Sequence, residues 1–397
     1  CRPGAAFPCR APLPQCMPLF LQNGTAFYKS NVFITFFYNT TALECGILIW
    51  YHLNAHRRRA AASKPAKEGM SMKDRLGRTI EYLRISVTDR CNLRCIYCMP
   101  EEGVRWVSHG EILSFEEIEH LCRIFAPLGI RRVRITGGEP LVRLGLPSLI
   151  ARLHNIDGID EINLTTNGIL FAPMAAELKD AGLHGINFSL DTLNPAVFQR
   201  ITRTDRFQDA RAGIDAALAL GFAHVKVNCV PVRGINDGEI PAIAALALHH
   251  PLEVRFIEMM PIGCGKQFIP VSMQQAYEAV SAVYGSGAPY SGVLGNGPAS
   301  YYSFPGFQGH VGFISAVTHE FCSQCNRIRL TAEGYLKLCL HYNRGIDLRQ
   351  GLRAGLSDEA LTAQIRAAIL DKPDHHRFTA DADAAMLDQH TMNAIGG

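Results

Sequence analysis

Six of the thirteen cysteines stand in two groups whose spacing suits metal chemistry. Cys91-Asn-Leu-Arg-Cys95-Ile-Tyr-Cys98 holds the first three, and Cys322-Ser-Gln-Cys325 with Cys339 holds the second three. A structural zinc ion or a fully ligated iron–sulfur cluster takes four protein ligands, so three thiolates suit a cluster with one iron left open to a substrate or cofactor. Spacing alone leaves zinc or a redox role open for the first group. Basic residues recur at positions read as strand: Arg84, Arg132, Arg134, Lys226 and Arg255, with Arg327 and Arg329 alternating on one face of a short extended stretch. Charge aimed into a barrel is costly unless an anion meets it, and the planar guanidinium fork suits phosphate. On a solvated face the same residues would be bland. Cys122 and Cys229 read as packing residues, and His249-His250 and His375-His376 as solvated.

These groups need a rigid frame. From Tyr82 onward, short β-branched runs alternate with helical patterns, predicting strands at 83–87, 133–136, 161–165, 185–190, 224–230 and 253–258. Helices are expected at 115–125, opened by the Ser114/Glu117 capping box, and at 209–220, ended by Gly221. The fold class is α/β: an incomplete TIM-like barrel of six βα units over 71–265, then a small domain over 266–397 carrying the second cysteine set. The stretch 301–317, around Pro305-Gly306, reads as a hairpin of that small domain. Residues 1–70 differ in composition and are expected to be a non-homologous extension, disordered or translated from upstream of a start at Met70 or Met72. Val32 to Tyr51 has the length of a membrane span, but Asn39, Thr40, Thr41 and Glu44 interrupt it, and no membrane association is expected.

With 48% hydrophobic residues, the 397-residue chain can bury an ordinary globular core. A net charge of +3 gives no global field for nucleic acid, so no nucleic-acid partner is expected and any anion must be held locally. Cysteines in tight metal-ligand spacings, rather than spread through a short secreted scaffold, favour a reducing cytoplasm.

The first cysteine group, with Tyr97 before its third cysteine, and Thr136-Gly-Gly-Glu-Pro140 at a strand end resemble the radical S-adenosylmethionine superfamily. The string from Cys322 through Arg327, Arg329 and Cys339 is similar to the auxiliary-cluster motif of the GTP 3',8-cyclase family, the first step of molybdenum cofactor biosynthesis. Similarity extends from Asp74-Arg-Leu-Gly-Arg78 to the end. It implies two 4Fe-4S clusters, on Cys91, Cys95 and Cys98 and on Cys322, Cys325 and Cys339. It implies S-adenosylmethionine contacts at Tyr97, Gly138, Ser189 and Met260, with Glu139 and nearby carbonyls accepting from the cofactor's amine. GTP contacts follow at Arg84, Arg134, Thr165, Lys226, Arg327 and Arg329, with Arg132 and Arg255 as secondary ones. The implied reaction takes the ribose 3' hydrogen with a 5'-deoxyadenosyl radical and joins that carbon to C8 of guanine. Implied partners are GTP, an electron donor and a downstream cyclic pyranopterin synthase, with a homodimer left open. The Gly396-Gly397 ending is implied to reach into the active site. Two other readings stand beside this one: a radical peptide-modifying enzyme with an auxiliary cluster, and a zinc-stabilised binding module.

Overall fold

A computed structural model describes residues 25–28, 32–35, 71–295, 297–319 and 321–376. The chain divides into two units, Cys1–Lys67 and Glu68–Gly397. In the first, strand β1 (Thr25–Tyr28) pairs antiparallel with β2 (Val32–Thr35), so the start of the run weighed as a membrane span is β-branched strand. The remainder of the expected extension lies outside the described residues. No helix among the described residues is long and apolar enough to cross a membrane.

The second unit is built on a twelve-stranded sheet. Its centre is β3 (Tyr82–Ser86), β4 (Arg132–Thr136), β5 (Glu161–Thr166), β6 (Gly185–Ser189), β7 (His224–Cys229) and β8 (Glu253–Ile257), each parallel to the next. All six fall within a residue or so of the expected strands. Alternation explains why they form and how they face. Leu83, Ile85, Val133, Ile135, Leu164, Val227 and Val254 point outward into the core and are fully buried there. Tyr82, Arg84, Arg134, Asn163, Thr165, Asn187, Lys226, Asn228 and Arg255 point inward and line a cavity.

Connecting helices cover the outer face. Phe115–Phe125 begins where expected, with Ser114 accepting from the Glu117 backbone N–H (3.1 Å) and Glu117 accepting from that of Ser114 (2.7 Å). The helix expected at 209–220 starts earlier, at Phe207, because that ring packs edge-on against Phe198 of the preceding helix, with ring centroids 5.7 Å apart.

The C-terminal part does more than the sequence reading expected. Its hairpin, β10 (Ser300–Ser303) with β11 (His310–Ile314), forms as foreseen, and β9 (Ala288–Tyr290) adds to it. However, β11 runs parallel to β8, and β12 (Arg327–Leu330) runs parallel to β3. Eight parallel strands therefore curve round the cavity, the last two supplied by the C-terminal part at opposite edges. Beyond β12 lie β13 (Tyr335–Lys337) and β14 (Gly345–Asp347), both antiparallel. A terminal helix, Asp358–Leu370, follows.

Candidate active site: two thiol sets at the ends of a cationic barrel

The first thiol set sits on the loop after β3, and Cys91, Cys95 and Cys98 all line a cavity of about 360 Å³ inside the barrel. The loop is held from two sides. Backbone N–H groups of Arg94 and Ile96 donate to Thr202 and Ile201 carbonyls (3.1 and 2.9 Å) at the end of helix Pro195–Thr202. There Arg203 takes a left-handed conformation (φ 59°) and its guanidinium donates to the Arg94 carbonyl (3.0 Å). On the other side lies the Gly-Gly-Glu-Pro turn. Gly138 and Glu139 N–H groups donate to the carbonyls of Thr88 and Arg90 (2.9 and 2.8 Å). A Cβ on Gly138 would lie 2.4 Å from the Arg90 carbonyl oxygen, and one on Gly137 2.5 Å from that of Thr88. The glycines thus let the protein's own backbone pack, and both also line the cavity. Gly138→Ala should destabilise the fold by roughly 2–3 kcal/mol through forced separation of these backbones. Thermal melting and iron retention of the reconstituted variant check this.

Burial dominates the electrostatics at this end. It pushes the Cys91 thiol up to about 11 and Cys95 well above its usual value. Thiols held protonated this way are poor nucleophiles on their own, and it takes a bound cationic centre to make them thiolate ligands. Three carboxylates stand nearby, each already engaged. Glu139 accepts from Leu141 N–H (3.0 Å), Thr166 hydroxyl (2.7 Å) and Asn167 N–H (2.7 Å), and burial raises it to about 7 against those bonds. Its oxygens brace the turn, and Glu139 also lines the cavity where the resemblance implies a contact with the cofactor's amine. Asp191 accepts from the Tyr97 hydroxyl and the Val230 N–H (2.8 Å), and burial raises it to about 6. Glu258 accepts from Val317 and Thr318 N–H (2.8 and 3.0 Å).

Further down the barrel the sign reverses. Arg329 of β12 is directly opposite Arg84 of β3, which is directly opposite Arg134 of β4, and on the other side Arg329 is opposite Lys337 of β13. Four cations thus form one row across four strands, an arrangement that destabilises a sheet. Burial, then the neighbouring guanidinium of Arg327, lowers Arg329 to about 10. Burial and Arg329 lower Arg84 well below its usual range. Burial also lowers Arg255, Arg327 and Lys226. Such a row is suited to a polyanion.

The register distributes the other contacts. Arg134 donates to the Tyr82 hydroxyl and to Thr165 Oγ1 (3.4 Å). Arg255 donates to its cross-strand partner Asn228 (2.8 Å). Lys226 pairs with its own partner Glu253 (2.7 Å) and donates to the Leu294 carbonyl (2.7 Å), so a phosphate there would share it.

The second thiol set stands at the opposite mouth. Cys322 and Cys325 precede β12, whose start is level with the start of β3, whereas Cys91 follows the end of β3. One strand length, on the order of 15 Å, separates the two sets along the barrel axis. Phe321, Arg327, Arg329 and Leu340 line the cavity beside these cysteines. The Cys325 thiol is drawn below its usual value: burial opposes this, but Lys372, the Arg327 N–H and guanidinium, and Arg78 outweigh it. Among the described residues no three His, Cys, Asp or Glu side chains are grouped so as to hold a single metal ion.

Of the residues singled out in the sequence, Tyr97, Gly138, Ser189, Met260, Arg84, Arg134, Thr165, Lys226, Arg255, Arg327 and Arg329 all line the one cavity. Arg132 does not. It shares a face with Arg134 but meets Glu81 (2.6 Å) and Glu161 (3.5 Å), so protein carboxylates already neutralise it. Gly396 and Gly397 lie outside the described residues. His376, expected to be solvated, is buried, its ring 6.3 Å from that of His341, while His375 is exposed as expected. Sequence reasoning missed Tyr82, Asn163, Asn187, Asp191 and Asn228, although period-2 spacing from Arg84, Thr165 and Lys226 marks three of them.

The Radical SAM superfamily profile matches residues 85–247, and the Molybdenum Cofactor Synthesis C profile matches 252–378. A GTP 3',8-cyclase of Heliobacterium modesticaldum is 48% identical over 333 residues, covering 82% of this chain and all of that one. The chain belongs to the GTP 3',8-cyclase family. Another member, from Pelotomaculum thermopropionicum, is 47% identical with the same coverage. Among solved structures, Streptococcus suis SuiB bound to S-adenosylmethionine matches with a TM-score of 0.50 at 13% identity, covering 74% of this chain and 72% of that one. That likeness extends to the fold. Both three-cysteine sets fall inside the matched regions, as do Arg134, Arg329 and Lys337 of the cationic row, while Arg84 lies one residue before the first match.

Proposed function

We propose that the chain is a radical S-adenosylmethionine enzyme that converts GTP to (8S)-3',8-cyclo-7,8-dihydroguanosine 5'-triphosphate for molybdenum cofactor biosynthesis. The observation that carries this reading is the like-charge row of Lys337, Arg329, Arg84 and Arg134 between two three-thiol sets. A polyphosphate lying along that row relieves the repulsion, and the rest of the nucleotide then spans the space between the two sets. When bound, the cluster on Cys91, Cys95 and Cys98 supplies the electron that splits S-adenosylmethionine, and that on Cys322, Cys325 and Cys339 supplies an open iron to the purine.

The chain's own residues bind, orient and shield. Tyr97, Gly138, Ser189 and Met260 hold the cofactor near the first set. Arg84, Arg134, Lys226, Arg327 and Arg329, with Thr165 and Arg255, hold GTP. The strands from the C-terminal part fill the gap in the barrel wall and exclude water from a radical. Residues 71–265 supply the six central strands of the barrel, and 266–397 the auxiliary-cluster part together with the two flanking strands β11 and β12. The enzyme works in the cytoplasm with an electron donor and passes its product to a cyclic pyranopterin synthase.

Anaerobic incubation with GTP, S-adenosylmethionine and a strong reductant tests the reading. Equal amounts of 5'-deoxyadenosine and a GTP-derived cyclised product are expected, on protein holding about eight iron with labile sulfide. Formation of 5'-deoxyadenosine with no nucleotide product would move the substrate to the peptide class. Stoichiometric zinc without iron would leave a binding module.

A further inference from the structure

Two buried cations outside the cavity lining converge on the backbone around the second thiol set. Lys372, just past helix Asp358–Leu370, is only 5% exposed, and its ammonium donates to the carbonyls of Arg327 (2.9 Å) and Leu338 (2.5 Å). Those carbonyls lie two residues after Cys325 and one before Cys339. Arg78 is equally buried. Its guanidinium donates to the carbonyl of Cys322 itself (2.8 Å) and to those of Pro373 (2.8 Å) and Asp374 (3.1 Å). Asp74 aims it, with one oxygen on Arg78 Nε (2.5 Å) and the other on the N–H groups of Leu76 and Arg78 (both 3.0 Å). Every cysteine-bearing segment is thereby tied to the same short stretch, 372–374.

We propose that Lys372 and the Asp74–Arg78 pair form a clamp that positions the three cysteines of the second cluster and supplies its counter-charge. Among the described residues Arg78 has a carboxylate partner, whereas Lys372 has none within ion-pairing distance. A buried ammonium held only by carbonyls calls for a negative group nearby, and a cubane on three thiolates is net anionic. The carbonyl bonds fix where the thiols stand, and the ammonium favours the more reduced, more negative cluster. These are positioning residues, and the assignment rests on the two-cluster reading above.

The test is Lys372→Met in the full chain, reconstituted anaerobically beside the parent and Lys372→Arg. Chelator-resistant iron and the spin-resonance signals of the two reduced clusters are the readouts. Lys372→Met should fall from about eight to about four resistant iron, lose or shift the second signal, and keep the first signal with uncoupled S-adenosylmethionine cleavage. Where the second cluster survives, its midpoint potential should move negative. Lys372→Arg should restore most of the resistant iron. An unchanged second signal and unchanged resistance in Lys372→Met would overturn the clamp. If that variant fails to fold, Arg78→Lys replaces it: it keeps the charge but cannot span three carbonyls, and a second cluster as resistant as the parent's would equally overturn the proposal. A parent holding a single cluster would sink the two-cluster reading itself, and the clamp with it.

Discussion

Cys95→Ala should abolish S-adenosylmethionine cleavage outright, while Cys325→Ala should go on cleaving it without making any product from GTP. The difference follows from geometry. Cys95 lines the cavity beside Tyr97, Gly138 and Asp191, whereas Cys325 belongs to the set at the far mouth, one strand length away. The first loop has its own supports, in Thr202, Arg203 and the Gly137-Gly138 turn, none of which touches the second set. Losing one thiolate at the lower mouth therefore leaves the upper loop intact. Quantifying 5'-deoxyadenosine and nucleotide product in parallel, under anaerobic conditions, separates the two variants. Equal loss of cleavage in both would mean that the sets do not divide the work between them.

Arg84→Met should make the nucleotide-free protein more stable and the enzyme a worse binder of GTP. Arg84 is flanked on both sides by arginine at the same level of the sheet. Replacing it with an apolar chain of similar length removes two directly opposed like-charge pairs, a gain of about 0.5–1 kcal/mol in the empty protein. The same change removes a charge-assisted bond to phosphate, roughly 1.5–3 kcal/mol, or about 10- to 150-fold in Kd. Melting temperatures with and without GTP or inorganic tripolyphosphate reveal both signs in one experiment. The parent should gain more from either anion than the variant does. A variant that melts lower when empty would show that the row is neutralised by something other than a bound anion.

The sequence carried some features of this site more clearly than others, for physical reasons. The six barrel strands were readable because each places β-branched or leucine side chains outward at period 2, against helices whose caps, such as Ser114 with Glu117, are written locally. The cysteine sets were readable because ligand spacing is a property of the chain alone. Register is not. Arg132 and Arg134 are two residues apart on one face, yet Glu81 and Glu161 take the first and leave the second to the cavity. Those partners become visible only when three strands are aligned. The union of β11 and β12 with the barrel edges was hidden likewise, since a short strand does not announce which neighbour it will join. Hardest to read were the acceptors of Lys372 and Arg78, because a backbone carbonyl is the same whichever residue bears it.

Strands β11 and β12 lie on opposite edges of the six-stranded centre. During synthesis, β3 to β8 leave the ribosome before β11 and β12, with the outer edges of β3 and β8 offering unpaired N–H and C=O groups to any other strand. The edge of β8 stays open until residue 314 has emerged, and that of β3 until residue 330. A nascent chain in that interval is a candidate for chaperone capture or for edge-to-edge aggregation, and a fragment stopped near residue 265 remains in that state permanently. The radical-generating half is therefore not a separable cartridge, and truncation there should yield insoluble protein.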